Sequence, residues 1–337
     1  MIVSFDTIIE YTCFMASYSP PYKITSETLR IISEISEILG ELKSLRIVKP
    51  NPTLRRQNSI LTIQGSLAIE GNSFSLDQVS AVLEGKRVLG KSKEIQEVKN
   101  AIECYSRLQK LDPFSSKSLL TAHKLLMKEL MPNPGSYRTG SVGILKGSKV
   151  AHIAPKASNV PELMKQLFGY LKKSKDLALI KSCVFHYELE FIHPFQDGNG
   201  RMGRLWQTLI LAHTHPVFEF IPVESQIHRH QADYYSVLEA CDKKGDSTEF
   251  ILWMLEIILQ SLKEFLKTSI PEPVTFETRI KIAQAEFRRR SFTRSDYLKL
   301  LKTVSAPTAS RDLTHAVKMK ILKKTGDKRT TIYSFTG

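Results

Sequence analysis

The chain has 337 residues and 42% hydrophobic content, enough for a real core and for two or three folding units. Its formal charge of +14 predicts an anionic partner somewhere, without saying which. Four scattered cysteines (Cys13, Cys104, Cys183 and Cys241) make no CxxC pairing, which argues against zinc sites and a disulfide scaffold and fits a reducing, cytoplasmic compartment.

The first twenty residues are apolar in places. Asp6 and Glu10 interrupt them and no basic stretch precedes, so neither a signal peptide nor a membrane span is expected. Thr25 to Leu45 places Leu29, Ile32, Ile35, Ile38 and Leu39 at helical spacing, with Thr25 as cap. A second helix is expected from about Pro52 to Glu70, with Gly71 as the left-handed residue after its end. Ser66 and Glu70 lie one turn apart on one face of it and, taken alone, read as a solvated pair. Glu94 to Leu111 and Lys117 to Leu130 are amphipathic, the latter with His123 as a packed histidine rather than a ligand. After Pro132 and Pro134 the helical period stops. Ser141 to Leu145 and Lys149 to Ile153 flank a Gly-Ser turn and read as a β-hairpin. Helices Val160 to Leu171 and Leu177 to Glu190 carry the chain to a polar run.

That run is His193-Pro-Phe-Gln-Asp-Gly-Asn-Gly-Arg-Met-Gly-Arg204. It is too polar for core, and an apolar helix follows at Leu205 to His213, so it is a loop that opens a helix. Backbone N–H groups of Gly198, Asn199 and Gly200 can converge on an anion at the positive end of that helix. Glycine permits the close approach and a positive φ. Arg201 and Arg204 share a helix face, and two guanidinium forks suit a polyphosphate. Asp197, beside this cradle, is the natural Mg²⁺ ligand. His193 is the one member of the set able to take a proton near neutral pH. Singly, a His-Pro or a Gly-Asn-Gly is usually a plain turn; together, at fixed spacing, they make a site.

The run resembles the Fic family signature: His, any residue, Phe, any residue, Asp or Glu, Gly-Asn-Gly-Arg, two residues, Arg. Every fixed position is filled, by His193, Phe195, Asp197, Gly198, Asn199, Gly200, Arg201 and Arg204. Ser66-Leu-Ala-Ile-Glu70-Gly71 resembles the Fic inhibitory helix motif. The resemblance implies that Glu70 pairs with Arg204 and crowds the site of the ATP γ-phosphate. It also implies that the hairpin is a flap holding the target segment by strand addition. Tyr234 and Tyr235, on an expected helix Gln226 to Cys241, would border the adenine by the same resemblance; read alone they are core aromatics. His186 and Glu190 read as structural. With the helix Thr248 to Leu266, the resemblance covers roughly Thr25 to Leu266.

Pro271-Glu-Pro273 marks a linker, after which composition changes. From Thr275 onward fifteen basic residues face five acidic ones, so this end holds +10 of the excess charge. Helices Glu277 to Arg290, Arg294 to Leu301 and Pro307 to Met319, then short runs Ile321 to Thr325 and Thr330 to Phe335, resemble a winged helix-turn-helix module. Its third helix would offer Thr308, Ser310, Arg311, Thr314, His315 and Lys318 to a DNA groove, and its wing Lys328 and Arg329 to phosphate. The plainer alternatives are a solvated basic face, or a wing used for protein contacts or for a homodimer.

The expected fold class is all-α: a Fic helical core with a β-hairpin flap, plus the winged module. The expected division is an N-terminal helical segment 1–48, a Fic core 49–268 including the inhibitory helix, a linker 269–274, and the winged domain 275–337. The resemblance implies a protein adenylyltransferase that uses ATP and Mg²⁺ to place AMP on a Ser, Thr or Tyr hydroxyl of a target protein, self-inhibited by Glu70. The alternative of a different class is a DNA-binding regulator with an idle Fic fold, although intact His193 and Asp197 speak against idleness. A Fic-type kinase, against which Gly200 argues, and an enzyme that removes AMP are the remaining alternatives.

Overall fold

Capping residues written into the sequence set where most helices begin. The structure, a computed structural model, describes residues 19–45, 47, 50–140, 143–146, 149–269, 275–288, 290–301, 304–327 and 330–336, with backbone alone over 143–153. These residues form two compact units, divided after Ser269.

In the first unit α1 (Ser26–Ser44) starts at a capping box between Thr25 and Thr28. The α2 helix (Pro52–Ile69) starts with the Asn51 side chain accepting from Leu54 N, and Pro52 fits a first turn that needs no N–H donor. Its far end is a Schellman closure. Gly71, at φ 89°, donates to Ala68 O and Asn72 donates to Leu67 O. A short α3 (Leu76–Leu83), α4 (Ser92–Ser106) and α5 (Ser116–Leu126) follow. Strands β1 (Gly143–Lys146) and β2 (Lys149–Ile153) pair antiparallel, Gly143 with Ile153 and Lys146 with Lys149, with an irregularity between Ile144 and Leu145. Ser141, Val142, Gly147 and Ser148 of the expected hairpin lie outside the described residues. Then come α6 (Val160–Lys173), α7 (Ala178–Ile192), α8 (Asn199–Thr214), α9 (Val223–Arg229), α10 (Gln231–Lys244) and α11 (Thr248–Ser269).

The core is built around α7 and α8, which are buried on nearly every side. A helix without a polar face belongs in the middle of a bundle, and these two sit there back to back. Trp206 of α8 is fully buried and its indole N–H donates to Pro113 O at 3.0 Å. The α2 helix approaches α9 through Gly65, where a Cβ would stand 2.9 Å from the Glu224 backbone. The helix that leads to Glu70 is therefore packed closely on α9.

Some expected elements differ. No helix was expected over Leu76–Leu83, where Ser75 and Gln78 form a capping box. The expected Lys117 to Leu130 helix stops at Leu126, and Glu129 takes a left-handed backbone (φ 62°). The expected helix Gln226 to Cys241 breaks at His230. On its near side Gln226 and Arg229 donate to Glu264 of α11; on its far side Gln231 and Tyr235 donate to Ile69 O. The near half also bonds α2, from Ser225 to Leu61 O, so both halves are tied to α2 at different turns and the chain turns between them. Among the described residues no helix is long and apolar enough to cross a membrane.

The second unit has α12 (Phe276–Phe287), α13 (Arg294–Leu300), α14 (Ala306–Lys318) and an antiparallel pair β3 (Leu322–Thr325) and β4 (Ile332–Phe335). Phe292 bridges to Tyr333, so the segment before α13 also lies along this pair. Ile280, Phe292, Tyr297, Leu313 and Leu322 form its core. Buried Asp312 accepts from Arg279 at 2.6 and 2.7 Å and from the Tyr297 hydroxyl at 3.0 Å, the pairing a buried carboxylate needs.

Candidate active site

Helix α7 ends at His193, which takes a left-handed backbone (φ 50°, ψ 59°) and closes the helix by donating its N–H to Leu189 O at 2.9 Å. His193 Nδ1 lies 3.3 Å from Glu190 O. A carbonyl only accepts, so in the neutral ring this contact favours the proton on Nδ1. That is the tautomer a general base needs.

The loop that follows is braced from beneath. Phe195 is buried and stacks on His123 with ring centres 3.8 Å apart and planes 7° apart. His123 accepts from Gly135 N at 2.8 Å through Nδ1, so its Nε2 is the donor to Asp197 O at 3.0 Å. Burial lowers the His123 pKa to about 4, which keeps the ring neutral and able to play both roles. The expectation of a packed histidine there is met.

Two members of the expected anion cradle do other work. The Asn199 side chain accepts from Phe195 N and donates to Phe195 O, both at 2.9 Å, so it knots the loop and leaves only its backbone N–H for a ligand. Gly198 N donates to Asp197 Oδ1 at 2.6 Å, which removes that amide from the cradle. The need for glycine at 198 is conformational instead: φ is 86° and a Cβ would stand 2.7 Å from Met127 Sδ. The first-turn amides of α8, from Asn199 onward, have no partner within the helix, the arrangement that suits an anion.

The two arginines differ. Arg201 is buried, donates to Asp197 Oδ1 at 3.0 Å and stands 3.6 Å from Glu97 Oε1, while its Nε has no partner among the described residues. Arg204 is 1% exposed. Its Nη2 donates to Glu70 Oε1 at 2.7 Å and to Ser66 O at 3.0 Å, and its Nε to Ser66 Oγ at 3.3 Å. Its Nη1 makes no hydrogen bond among the described residues. A Cβ on Gly200 would collide with Glu70 Oε1 and lie 3.1 Å from that Nη1, so Glu70 and Arg204 meet directly over the α8 N-terminus.

Asp197 is half exposed, and both its contacts use Oδ1. Among the described residues no group of three or more His, Cys, Asp and Glu side chains could hold a metal by itself. A single half-exposed carboxylate beside a helix N-terminus fits Mg²⁺, which takes most of its shell from water and phosphate oxygens.

Three groups lie behind Arg204: Glu224 and His186 are buried, and the Glu190 side chain is 13% exposed. Burial raises the Glu190 pKa to about 7, Arg204 opposing the shift. Burial raises the Glu224 pKa to about 7 as well, against hydrogen bonds from its backbone, the Tyr105 hydroxyl (3.1 Å) and Thr208 (3.2 Å). His186 is fully buried, lowered by burial to about 3, and bonded to Gln207 and to the Tyr234 hydroxyl, a structural role as expected. Tyr234 is 1% exposed and packs on Phe250 and Trp253, so it is core and cannot stack on a base. Tyr235 is 42% exposed. Sequence reasoning missed Glu97, Asn72, which donates to Glu97 Oε2 at 2.8 Å, and Gln231, which donates to Ile69 O at 2.8 Å. Each is an ordinary polar residue on an ordinary helix or turn, and only tertiary contact gives it meaning.

A family model described as Fic/DOC family matches residues 113–211. A solved Fic family protein from Desulfovibrio desulfuricans is 40% identical, over 95% of this chain and 99% of that one, with a TM-score of 0.73. The chain belongs to the Fic/DOC family. Protein adenylyltransferase fic-1 of Caenorhabditis elegans is 26% identical over 249 residues, 70% of this chain and 47% of the relative. Protein adenylyltransferase Fic of Culex quinquefasciatus is 30% identical over 216 residues, 60% of this chain and 41% of the relative. The chain thus spans about half the length of the curated relatives it matches. In this Fic chain Gly200 and Arg204 of the signature meet the Ser66…Glu70 pair at the N-terminus of α8.

The expected DNA contacts in the second unit are dispersed in character. Arg311 and Lys318 are exposed on α14. The Ser310 hydroxyl accepts from Arg294 Nη1 at 2.9 Å, Thr314 bonds back to Ser310 O, Thr308 bonds Ser305, and His315 packs edge-on against Phe276. Lys328 and Arg329 lie outside the described residues.

Proposed function

We propose that this Fic chain is a protein adenylyltransferase held in check by its own Glu70. One observation carries the reading: the Arg204 guanidinium is divided, Nη2 on Glu70 and Nη1 without a partner among the described residues, at the N-terminus of α8. A buried donor left unpaired is costly, and a phosphate oxygen of ATP is the acceptor that would satisfy it. ATP would place its β- and γ-phosphates on the α8 amides, Arg201 and Arg204, with the adenine against Tyr235. Mg²⁺ held by Asp197 and the phosphates would neutralise phosphate charge. The β1–β2 pair would present a segment of the target by adding it as a strand. His193 Nε2 then takes the proton of a Ser, Thr or Tyr hydroxyl. That oxygen bonds the α-phosphorus, the bond from the α-phosphorus to the bridging oxygen breaks, and pyrophosphate leaves. Orientation and charge neutralisation supply most of such catalysis. Glu70 opposes it by holding Arg204 and by setting a like charge where the γ-phosphate belongs.

Incubation with α-labelled and, separately, γ-labelled ATP tests this. Label from the α position alone supports adenylylation. Label from γ alone makes the chain a kinase, and no label from either, with the Glu70→Gly form included, overturns the reading.

A second reading concerns the other unit, which we read as a winged module that binds DNA. Its support is the net charge of +10 and the exposed Arg311 and Lys318 on α14.

A further inference from the structure

We infer that Arg138 is a positioning residue that ties the β1–β2 hairpin to the peptide of His193; this rests on the adenylyltransferase reading of the site. Arg138 lies in the short irregular stretch between α5 and β1, and it is only 6% exposed. Its guanidinium is aimed at four main-chain carbonyls. Nε donates to His193 O at 2.7 Å, Nη1 to Gly140 O at 2.8 Å, and Nη2 to Pro155 O at 2.5 Å and to Ile192 O at 3.3 Å. Its own backbone N–H donates to Pro194 O at 2.9 Å.

The positions of those carbonyls matter. Gly140 lies just before β1 and Pro155 just after β2, so one side chain holds both feet of the hairpin. Ile192 and His193 are the last residues of α7, whose final carbonyls have no partner within the helix and carry its negative end. A buried cation bonded there satisfies the carbonyls and the helix dipole together. His193 holds a left-handed backbone, which a residue with a Cβ adopts only when its surroundings impose it. Arg138 holds the carbonyl side of that strained residue while Leu189 O holds its N–H side. Rotation of the His193 peptide would swing the imidazole, and Arg138 is what resists that rotation. The hairpin that would carry the hydroxyl and the ring that would take its proton are therefore indexed to one another through a single guanidinium. Arginine suits this because its planar fork bonds several acceptors in fixed directions; the point charge of a lysine serves fewer. Burial holds its pKa below the usual arginine range, yet an arginine stays charged in a protein.

The test uses the full chain in the Glu70→Gly form, with self-modification by α-labelled ATP as the rate. Arg138→Ala should lower the rate constant about a hundredfold, the cost of a displacement of ~1 Å between reacting groups. ATP affinity should be unchanged, because no phosphate ligand is touched. Millimolar guanidinium ion should restore part of the rate in Arg138→Ala and none in His193→Ala. Arg138→Lys should fall between the two, and it carries the test if Arg138→Ala does not fold. Loss of ATP affinity in step with rate would assign Arg138 to general structure, and an unchanged rate would overturn the proposal outright. If no form takes up label, the adenylyltransferase reading has failed instead. Amide exchange then decides: in Arg138→Lys it should rise together over 143–153 and at His193, and a rise at only one of these, or at neither, sinks the coupling.

Discussion

Glu70 and Arg204 stand 134 residues apart in the chain and 2.7 Å apart in the fold. The pair is unequal: the Arg204 side chain is 1% exposed, that of Glu70 31%. Arg204 is also fixed by Ser66, so the carboxylate is the partner free to leave. A competing phosphate needs only to displace Glu70, and removing Glu70 leaves Arg204 in place. Glu70→Gly should therefore raise adenylylation, self-modification included, severalfold at least and up to about a hundredfold if inhibition works by misplacing the α-phosphate by ~1 Å. Arg204→Ala in that background should undo the gain. An unchanged or lower rate in Glu70→Gly would remove the inhibitory role and make Glu70 a surface group or a catalytic one.

His193→Ala should abolish AMP transfer while ATP binding stays nearly intact, since Arg201, Arg204 and the α8 amides are untouched. Calorimetry with ATP beside the labelled assay checks this. Parallel loss of binding and rate would mean that the ring holds the loop rather than moves a proton.

How much of this was legible beforehand follows from where each signal lives. The His193 to Arg204 run announces itself because glycines, arginines and a histidine cannot share twelve residues by packing need alone. The start of α2 was readable from Pro52, and its closure from Gly71. What sequence could not give is which partner each polar atom takes. Asn199 and Gly198 look like ligand groups, yet their side chain and amide close the loop on itself. Tyr234 and Tyr235 are neighbours with one composition, and a helix turns adjacent residues to different faces, one into the core and one out. Arg138 reads as one more basic residue in a protein full of them. Its meaning comes from four carbonyls contributed by segments up to 55 residues away.

Gln231 and Tyr235 both donate to Ile69 O, at 2.8 and 3.1 Å, and so hold the residue before Glu70. Tyr235→Phe keeps the ring and loses that hydrogen bond. It should raise the rate severalfold with KM for ATP unchanged. Tyr235→Ala removes the ring as well and should raise KM. Equal KM in both variants would show that the ring does not meet the adenine.

For the second unit, binding of the full chain to duplex DNA should weaken steeply with salt, with a log–log slope of about −0.9 per phosphate neutralised. Arg311→Ala should weaken binding and flatten the slope by about one. Binding that ignores salt, or none at low salt, would strike DNA from the partners.

The last prediction uses four groups, three buried and one, Glu190, nearly so, that pull stability in opposite directions. Burial raises the Glu224 and Glu190 pKa values from 4.5 to about 7. In the folded chain these carboxyls keep protons that the unfolded chain has released, so their contribution to stability falls as pH rises from about 4.5 through 7. Burial lowers His123 and His186 from 6.5 to about 4 and about 3. Here the unfolded chain binds the protons, so their contribution is whole above pH 6.5 and is lost as pH falls through the folded values. Between pH 4.5 and 6.5 the two effects oppose each other. Glu224 gives the cleaner test, being sealed in the core beside Tyr105 and Thr208. Relative to wild type, Glu224→Gln removes a proton held by the folded state and should add about 1.4 kcal/mol per pH unit to the slope of stability against pH across that window. His123→Asn should subtract about the same amount. Urea unfolding at three pH values in that window measures both slopes, and it is the slope that counts, because either substitution also shifts stability at every pH. Curves for Glu224→Gln that run parallel to wild type would mean that the Glu224 carboxyl titrates in the fold as it does in the open chain, and the buried acid behind Arg204 would have no part in the pH response.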